Sequence, residues 1–375
     1  MKIIIAPQAF KGSLDSKSVA KHIEKGIKDA SPTLITECFP VADGGDGTLD
    51  VLVKYKGGQI FTKEVIGPTG SHVLAQWGVM SDNNTAVIEM ALASGLAICN
   101  NMDFDLKTTT TFGTGQLILE AIENGYKNII IGLGGSATND GGIGAIQALG
   151  GNFLDIYDNE LSYGGGELIN LSHINTNNLN PDLKEINITI ASDVTNPLCG
   201  PTGASYIFGP QKGGTKIILD ELEEALKHYS SVITNQLGKD YSSNPGAGAA
   251  GGLAYGLITF TKANIKSGFE VICEKLNFDQ IIKNADLIIT GEGKTDASTL
   301  YNKTPIAIAN KAKEYNIPVI CISGSVGEGY EKVLENGIST IITLEKLAKS
   351  TEDSIRNTDI YLRKTAKEFI ETTIN

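Results

Sequence analysis

Apolar and polar positions along the 375-residue chain follow two rhythms. Short, continuous apolar runs at 2–6, 128–132, 186–192, 287–290, 319–323 and 340–344 are too brief for helices and predict strands buried on both faces. Between them, apolar residues recur every three or four positions. Val19, Ile23 and Ile27 share one face, as do Leu117, Ile118, Ala121 and Ile122. Leu222, Leu226, Tyr229 and Ile233 form a third stripe, and Leu362, Ala366, Phe369 and Ile370 a fourth. These spacings predict helices over 15–28, 113–124, 219–237 and near the carboxyl end, with a further one over 304–315. From Ala285 onward the alternation is strictly β-α-β-α-β, the pattern of a doubly wound parallel sheet. The first β-α unit is of the same kind, so both chain ends are expected to share one sheet. The middle then becomes a second α/β domain inserted into the first, with 1–80 plus 285–375 as one domain and 81–284 as the other.

Composition sharpens this picture in one respect. There are 43 glycines, with no fixed period and no linker-like run, so they are expected to serve tight turns and ligand loops. Net charge is −12, which excludes nucleic acid as a bulk partner, since counterion release needs a basic face. It leaves room for an anionic substrate, because a few lysines and backbone N–H groups hold a phosphate on an acidic protein. The five cysteines are scattered and include no CxxC pair, so neither a disulfide framework nor a zinc site is indicated. No run of 18 apolar residues suggests a membrane span. A cytoplasmic protein, monomer or homodimer, with a small-molecule substrate and no nucleic-acid or membrane partner is the expectation.

Chemistry concentrates where predicted strands end. The run Ile131–Gly142 follows a strand, and Gly132, Gly134 and Ala137 fit G-x-G-x-x-[GA]. A dinucleotide fingerprint needs its helix to begin at once, whereas Gly141 and Gly142 interrupt here. An anion-binding loop, with N–H groups presented at a following helix N-terminus, suits the run better. Its candidate contacts are Gly134, Gly135, Ser136, Thr138, Asn139 and Asp140, and a plain tight turn is the alternative. Gly291-Glu-Gly-Lys-Thr-Asp296 contains Gly-Lys-Thr but lacks the first glycine of a Walker A loop; it places Glu292, Lys294 and Asp296 beyond a parallel strand, where open α/β sheets keep their sites. Lys11 and Ser13 follow the first strand. Asp43 and Asp46 lie in a glycine loop that suits Mg²⁺ or a substrate hydroxyl. Asp193, Asn196, Gln211 and Lys212 belong to the segment after the strand at 186–192. Residues 245–252 are all small except Pro245 and suit a hinge, a close packing face or a backbone approach to ligand. Glycine loops, lysines and aspartates together are the equipment of phosphoryl transfer to a hydroxyl.

Six segments, in collinear order over nearly the whole chain, resemble the bacterial-type glycerate kinases: IAPQAFKGS (5–13), PVADGGDGT (40–48), GLGGSATNDGG (132–142), ASDVTNPLCGPTGASYIFGPQKG (191–213), PGAGAAGG (245–252) and ITGEGKTD (289–296). The resemblance implies a flavodoxin-like domain built from both chain ends, and ATP- and Mg²⁺-dependent phosphorylation of D-glycerate, usually to 2-phosphoglycerate. In that frame Lys11 and Lys294 are candidates for the substrate carboxylate. One of Asp193 and Asp296 would orient the 2-hydroxyl and take its proton, and the other would serve Mg²⁺. Ser13, Asp43, Asp46, Asn196 and Glu292 would line the substrate, and the glycine run with Lys212 would hold ATP. The chain departs from the family pattern at Gln8-Ala9, where Asp-Ser is common, and at Lys294, where arginine is common; lysine keeps the charge but loses the bidentate fork. Phosphorylation of the 3-hydroxyl or of a related hydroxy acid is the near alternative. A nicotinamide-dependent 2-hydroxyacid dehydrogenase and a small-carboxylate binding protein are the remote ones.

Overall fold

The computed structural model describes the chain apart from Lys11, Pro40, Asp43, Asp46, Lys56, 100–103, 301–303, 374 and 375. In chain order its strands are β1 (Lys2–Pro7), β2 (Ile35–Cys38), β3 (Gln59–Ile66), β4 (His72–Val79), β5 (Thr85–Glu89), β6 (Asn128–Gly132), β7 (Asn152–Leu154), β8 (His173–Asn175), β9 (Asn187–Ala191), β10 (Asn264–Lys266), β11 (Leu287–Thr295), β12 (Val319–Val326) and β13 (Thr340–Thr343). The chain divides into two compact units, Met1–Asp43 with Phe269–Asn375, and Gly44–Gly268.

The first unit is built on five parallel strands in the order β13-β12-β11-β1-β2. Counting only this unit's strands, that is 2-1-3-4-5, the flavodoxin-like doubly wound order. Ile3, Ile4 and Ile5 are all fully buried, as a continuous apolar run in a sheet covered on both faces requires. The helix Ser16–Ala30 starts where Asp15 accepts the Ser18 N–H at 2.8 Å, and it buries Val19, Ile23 and Ile27. It packs with the helix Thr358–Thr373, whose Leu362, Ala366 and Ile370 enter the same core as Ile3, Ile5 and Ile289.

The inserted unit carries a six-stranded mixed sheet, β10-β9-β6-β5-β4-β3, in which β10, β9, β6 and β5 are parallel and β4 pairs antiparallel with both β5 and β3. Its core is separate and runs from Val65 to Phe260. The expected boundaries near 80 and 284 do not coincide with this division. Residues 59–79 form a hairpin whose second strand pairs with β5, Trp77 opposite Ile88, and Val65, Ala75, Trp77 and Val79 are buried in the inserted unit's core. At the other junction the Phe278 ring packs tilted against Phe39 and edge-on against Phe269, so 269–284 belong with the chain ends.

Candidate active site

In the first unit the chemistry gathers at the carboxyl end of β11. The sequence pattern ends this strand at Thr290, but it continues to Thr295 because Glu292, Lys294 and Thr295 pair with Ser323, Ser325 and Val326 of β12. Gly291 permits the approach, since a Cβ there would lie 2.4 Å from the Ile322 carbonyl oxygen. Strand alternation then sends neighbouring side chains different ways. Glu292 is 4% exposed, and its Oε1 accepts from the Thr295 hydroxyl at 3.0 Å and the Thr299 hydroxyl at 2.8 Å. Burial, with the Glu292 charge second, pushes the Cys321 thiol up to about 12, which leaves it an inert core group. Lys294 is largely exposed, with its Nζ 3.6 Å from Asp296 Oδ2. Asp296 Oδ1 accepts from the Ser298 N–H at 2.9 Å. The turn after β12 approaches both, for a Cβ on Gly327 would lie 2.7 Å from Lys294 Cε and 2.9 Å from Asp296 Cβ. Ser13 Oγ lies 2.8 Å from the Ile355 carbonyl oxygen and 2.7 Å from Thr358 Oγ1, so its hydroxyl fastens the loop after β1 to the carboxyl-terminal helix.

In the inserted unit the corresponding strand ends are those of β5, β6 and β9. Glu89, at the end of β5, is buried and accepts the Leu49 N–H, tying down the chain after the Gly44–Gly45 turn. Gly44 lies against the ends of β6 and β9, with its carbonyl accepting the Gly134 N–H at 3.2 Å. A Cβ on Gly134 would sit 2.4 Å from Gly45 Cα. Asp193 follows β9, half-buried, and its Oδ1 accepts the Gly268 N–H at 3.0 Å just past β10. Asn196 holds its own loop, with Nδ2 donating to the Thr202 carbonyl at 2.8 Å.

The glycine run departs from the expected phosphate cradle. Its following helix, Ile143–Ala148, is six residues long, and the N–H groups of Gly142 and Gly144 donate to the Asp140 carboxyl at 3.0 and 3.4 Å. The same carboxyl takes the Thr111 N–H and hydroxyl, both at 2.8 Å, at the start of the helix Phe112–Glu123. An acidic group of the chain itself therefore occupies the helix terminus where a phosphate was expected. Ala137 and Gly141 also spend their N–H groups inside the protein, on the Ser94 and Gly251 carbonyls. Thr138 and Asn139 are fully buried, and Asn139 Nδ2 donates to Ser205 Oγ at 2.9 Å. Lys212, 2% exposed, reaches in to donate to Ser136 Oγ at 2.8 Å and the Thr138 carbonyl at 2.6 Å. Burial pushes its ammonium down to about 7, against the pull of Asp140. Gly135 alone in the run is exposed, with Gly134 half-exposed beside it. The small stretch 245–252 is a packing face, since a Cβ on Gly251 would lie 2.0 Å from the Thr138 carbonyl oxygen.

The glycerate kinase family profile matches residues 3–374. The chain belongs to the glycerate kinase family. It is 44% identical to a "Glycerate kinase" of Bacillus subtilis over 98% of this chain and 96% of that one. It is 45% identical to a "Glycerate 2-kinase" of Escherichia coli over 95% and 93% respectively. The crystal structure of a chain assigned as glycerate kinase 2 from Salmonella typhimurium superposes with a TM-score of 0.86 at 40% identity, covering 100% of this chain and 98% of that one. Membership in this family makes the protein a kinase, with ATP as the implied phosphoryl donor. It removes the dehydrogenase alternative, and the short helix behind left-handed Gly141 and Gly142 agrees, since a dinucleotide fold needs a full helix there.

Of the residues singled out from sequence, Glu292, Lys294 and Asp296 come together in one unit, and Gly134 to Asp140 with Lys212 in the other. Ser13 and Asn196 are engaged in holding loops. Lys11, Asp43 and Asp46 lie outside the described residues. Among the described residues no three His, Cys, Asp or Glu side chains are grouped to hold a metal ion. Mg²⁺ bound by one or two carboxylates plus substrate phosphates needs no such cage. No helix among the described residues is long and apolar enough to cross a membrane. Sequence reading passed over Glu89, at the end of β5, and Thr299, on the turn after β11, both buried polar groups. Glu89 closes a fully buried strand, and a carboxylate ending such a run was the available signal.

Proposed function

We propose that the protein transfers the γ-phosphoryl group of ATP to D-glycerate, on the 2-hydroxyl. The observation that carries this reading is the family match over 3–374, together with 45% identity to the Escherichia coli protein named for 2-phosphorylation. Lys294, exposed beside Asp296, supplies a cation for the substrate carboxylate, as does Lys11. Asp296 or Asp193 orients the hydroxyl and receives its proton, while the other serves the Mg²⁺ carried by the nucleotide. The hydroxyl oxygen forms a bond to the γ-phosphorus, the bond from that phosphorus to the β,γ-bridging oxygen breaks, and ADP leaves with the electron pair. An alkyl hydroxyl is a very weak acid, so the carboxylate acts mainly through orientation, and its proton moves late in a loose transition state. When bound with the nucleotide, Mg²⁺ would neutralise charge on the phosphate oxygens. Gly134 and Gly135, at the open tip of the glycine run, are the part of it that meets phosphate. Ser136, Thr138, Asn139, Asp140 and Lys212 keep that tip in shape from inside.

Purified protein with ATP, Mg²⁺ and D-glycerate is expected to release ADP, and phosphorus NMR of the product to report a 2-phosphate. Asp193→Asn and Asp296→Asn should each lower kcat by about 10²-fold. ADP release no faster than in the blank without glycerate sinks the activity; a 3-phosphate overturns the regiochemistry alone.

A further inference from the structure

Thr299 has a fully buried side chain on the 3₁₀ turn Ala297–Leu300. Its hydroxyl is used in both senses. It accepts the Asp296 N–H at 3.3 Å and donates to Glu292 Oε1 at 2.8 Å, which exhausts the single donor of a hydroxyl. The Thr299 N–H closes the same turn on the Asp296 carbonyl at 2.9 Å. Asp296 is therefore gripped through its own backbone on both sides by one residue. Glu292 is fixed in turn on the paired part of β11, opposite Ser323. A second hydroxyl, that of Thr295, also reaches Glu292 Oε1 at 3.0 Å, and the Thr295 carbonyl accepts the Gly327 N–H at 2.8 Å from the turn after β12. The rigid element is thus the sheet: Asp296 follows its last paired residue, Thr295, and a second hold on the Asp296 backbone runs from Glu292 through Thr299.

We infer that Thr299 is a positioning residue for phosphoryl transfer, setting the Asp296 carboxylate in place through the buried Glu292. The inference rests on the reading of Asp296 as a group that acts on substrate or its cation. It assigns Glu292 a different part from that of substrate ligand: a buried acceptor that anchors the turn. Misplacement by an ångström costs catalysis far more than binding, because the aligned geometry is needed only in the transition state.

The experiment is a double-mutant cycle on the full chain with ATP, Mg²⁺ and D-glycerate. Thr299→Val keeps the shape and removes the hydroxyl. It is expected to lower kcat about 10-fold with both KM values within about twofold, and Thr299→Ser to restore most of it. Asp296→Asn is expected to lower kcat about 10²-fold, and adding Thr299→Val to it to cost less than about twofold more, since one residue acts through the other. Wild-type kcat in Thr299→Val overturns the inference. So does a full further 10-fold loss in the Asn background, or a serine variant as impaired as valine, which marks a packing defect. If Asp296→Asn itself keeps wild-type kcat, the reading of Asp296 falls and this inference with it. A slow Asp296→Asn beside an unimpaired Thr299→Val removes only the inference.

Discussion

Lys212 holds an ammonium group where hydration is denied to it, between Ser136 Oγ and the Thr138 carbonyl. Burial lowers its folded-state value to about 7 from the ordinary 10.5. Between those values the unfolded chain binds a proton that the folded chain has released, so this residue's contribution to stability rises with pH from about 7 to about 10. Below about 7 both states hold the proton, and the destabilisation is at its full extent. Lys212→Met removes the group while keeping the aliphatic stem. The stability gap between wild type and this variant, read from urea titrations at several pH values, should move in favour of wild type as pH rises through that window. A gap that stays flat would falsify the assignment. The residue types here were legible in the sequence: glycines, Ser136, Thr138, Asn139, Asp140 and Lys212 lie close together. Their direction was not. Asp140 turns inward to two helix starts and Lys212 inward to the loop, because the run is pressed between Gly44, Gly251 and the helix Phe112–Glu123, and no local pattern encodes those neighbours.

At the scale of elements, the short apolar runs were read well because a strand covered on both faces leaves its mark in every residue. The run 128–132 coincides with β6. The carboxyl end of β11 escaped because Glu292 and Lys294 are polar, and only pairing with β12 makes them part of a strand. Glycine had the same double meaning in the loops, permitting either φ > 0 or close approach. Gly251 needs both, with φ +68° and the Thr138 carbonyl oxygen 2.0 Å from any Cβ. Gly213 needs only the first, at φ +84° with nothing within 4 Å. Gly251→Ala should therefore lower stability by about 2–4 kcal/mol, and Gly213→Ala by about 1–2 kcal/mol. Equal losses in thermal or urea unfolding would show that the small stretch 245–252 is not a packing face.

For the whole molecule, the core built from the chain ends, within 3–34 and 287–370, shares no residue with the core of the inserted unit, within 65–260. A fragment spanning 44–268 is expected to unfold cooperatively with native-like circular dichroism. A fragment spanning 81–284 should not, since it loses the β3–β4 hairpin. Val65, Ala75, Trp77 and Val79 leave with it, the larger of them worth about 1.5–3 kcal/mol each when buried, and β5 becomes an open edge. A sharp thermal transition in the shorter-sheeted fragment would overturn this division. By itself the sequence determined the class of fold, the insertion of one α/β unit into another, and the strand ends at which the candidate side chains lie. It could do so because periodicity, strand-end punctuation and collinear motifs are local properties of the chain. Tertiary structure decided where the inserted unit begins and ends, which strand-end groups face inward, and that Asp140 fills the helix start kept for a phosphate. Those outcomes depend on strand partners and close backbone approaches between residues far apart in sequence, which become fixed only when the sheets and their loops pack.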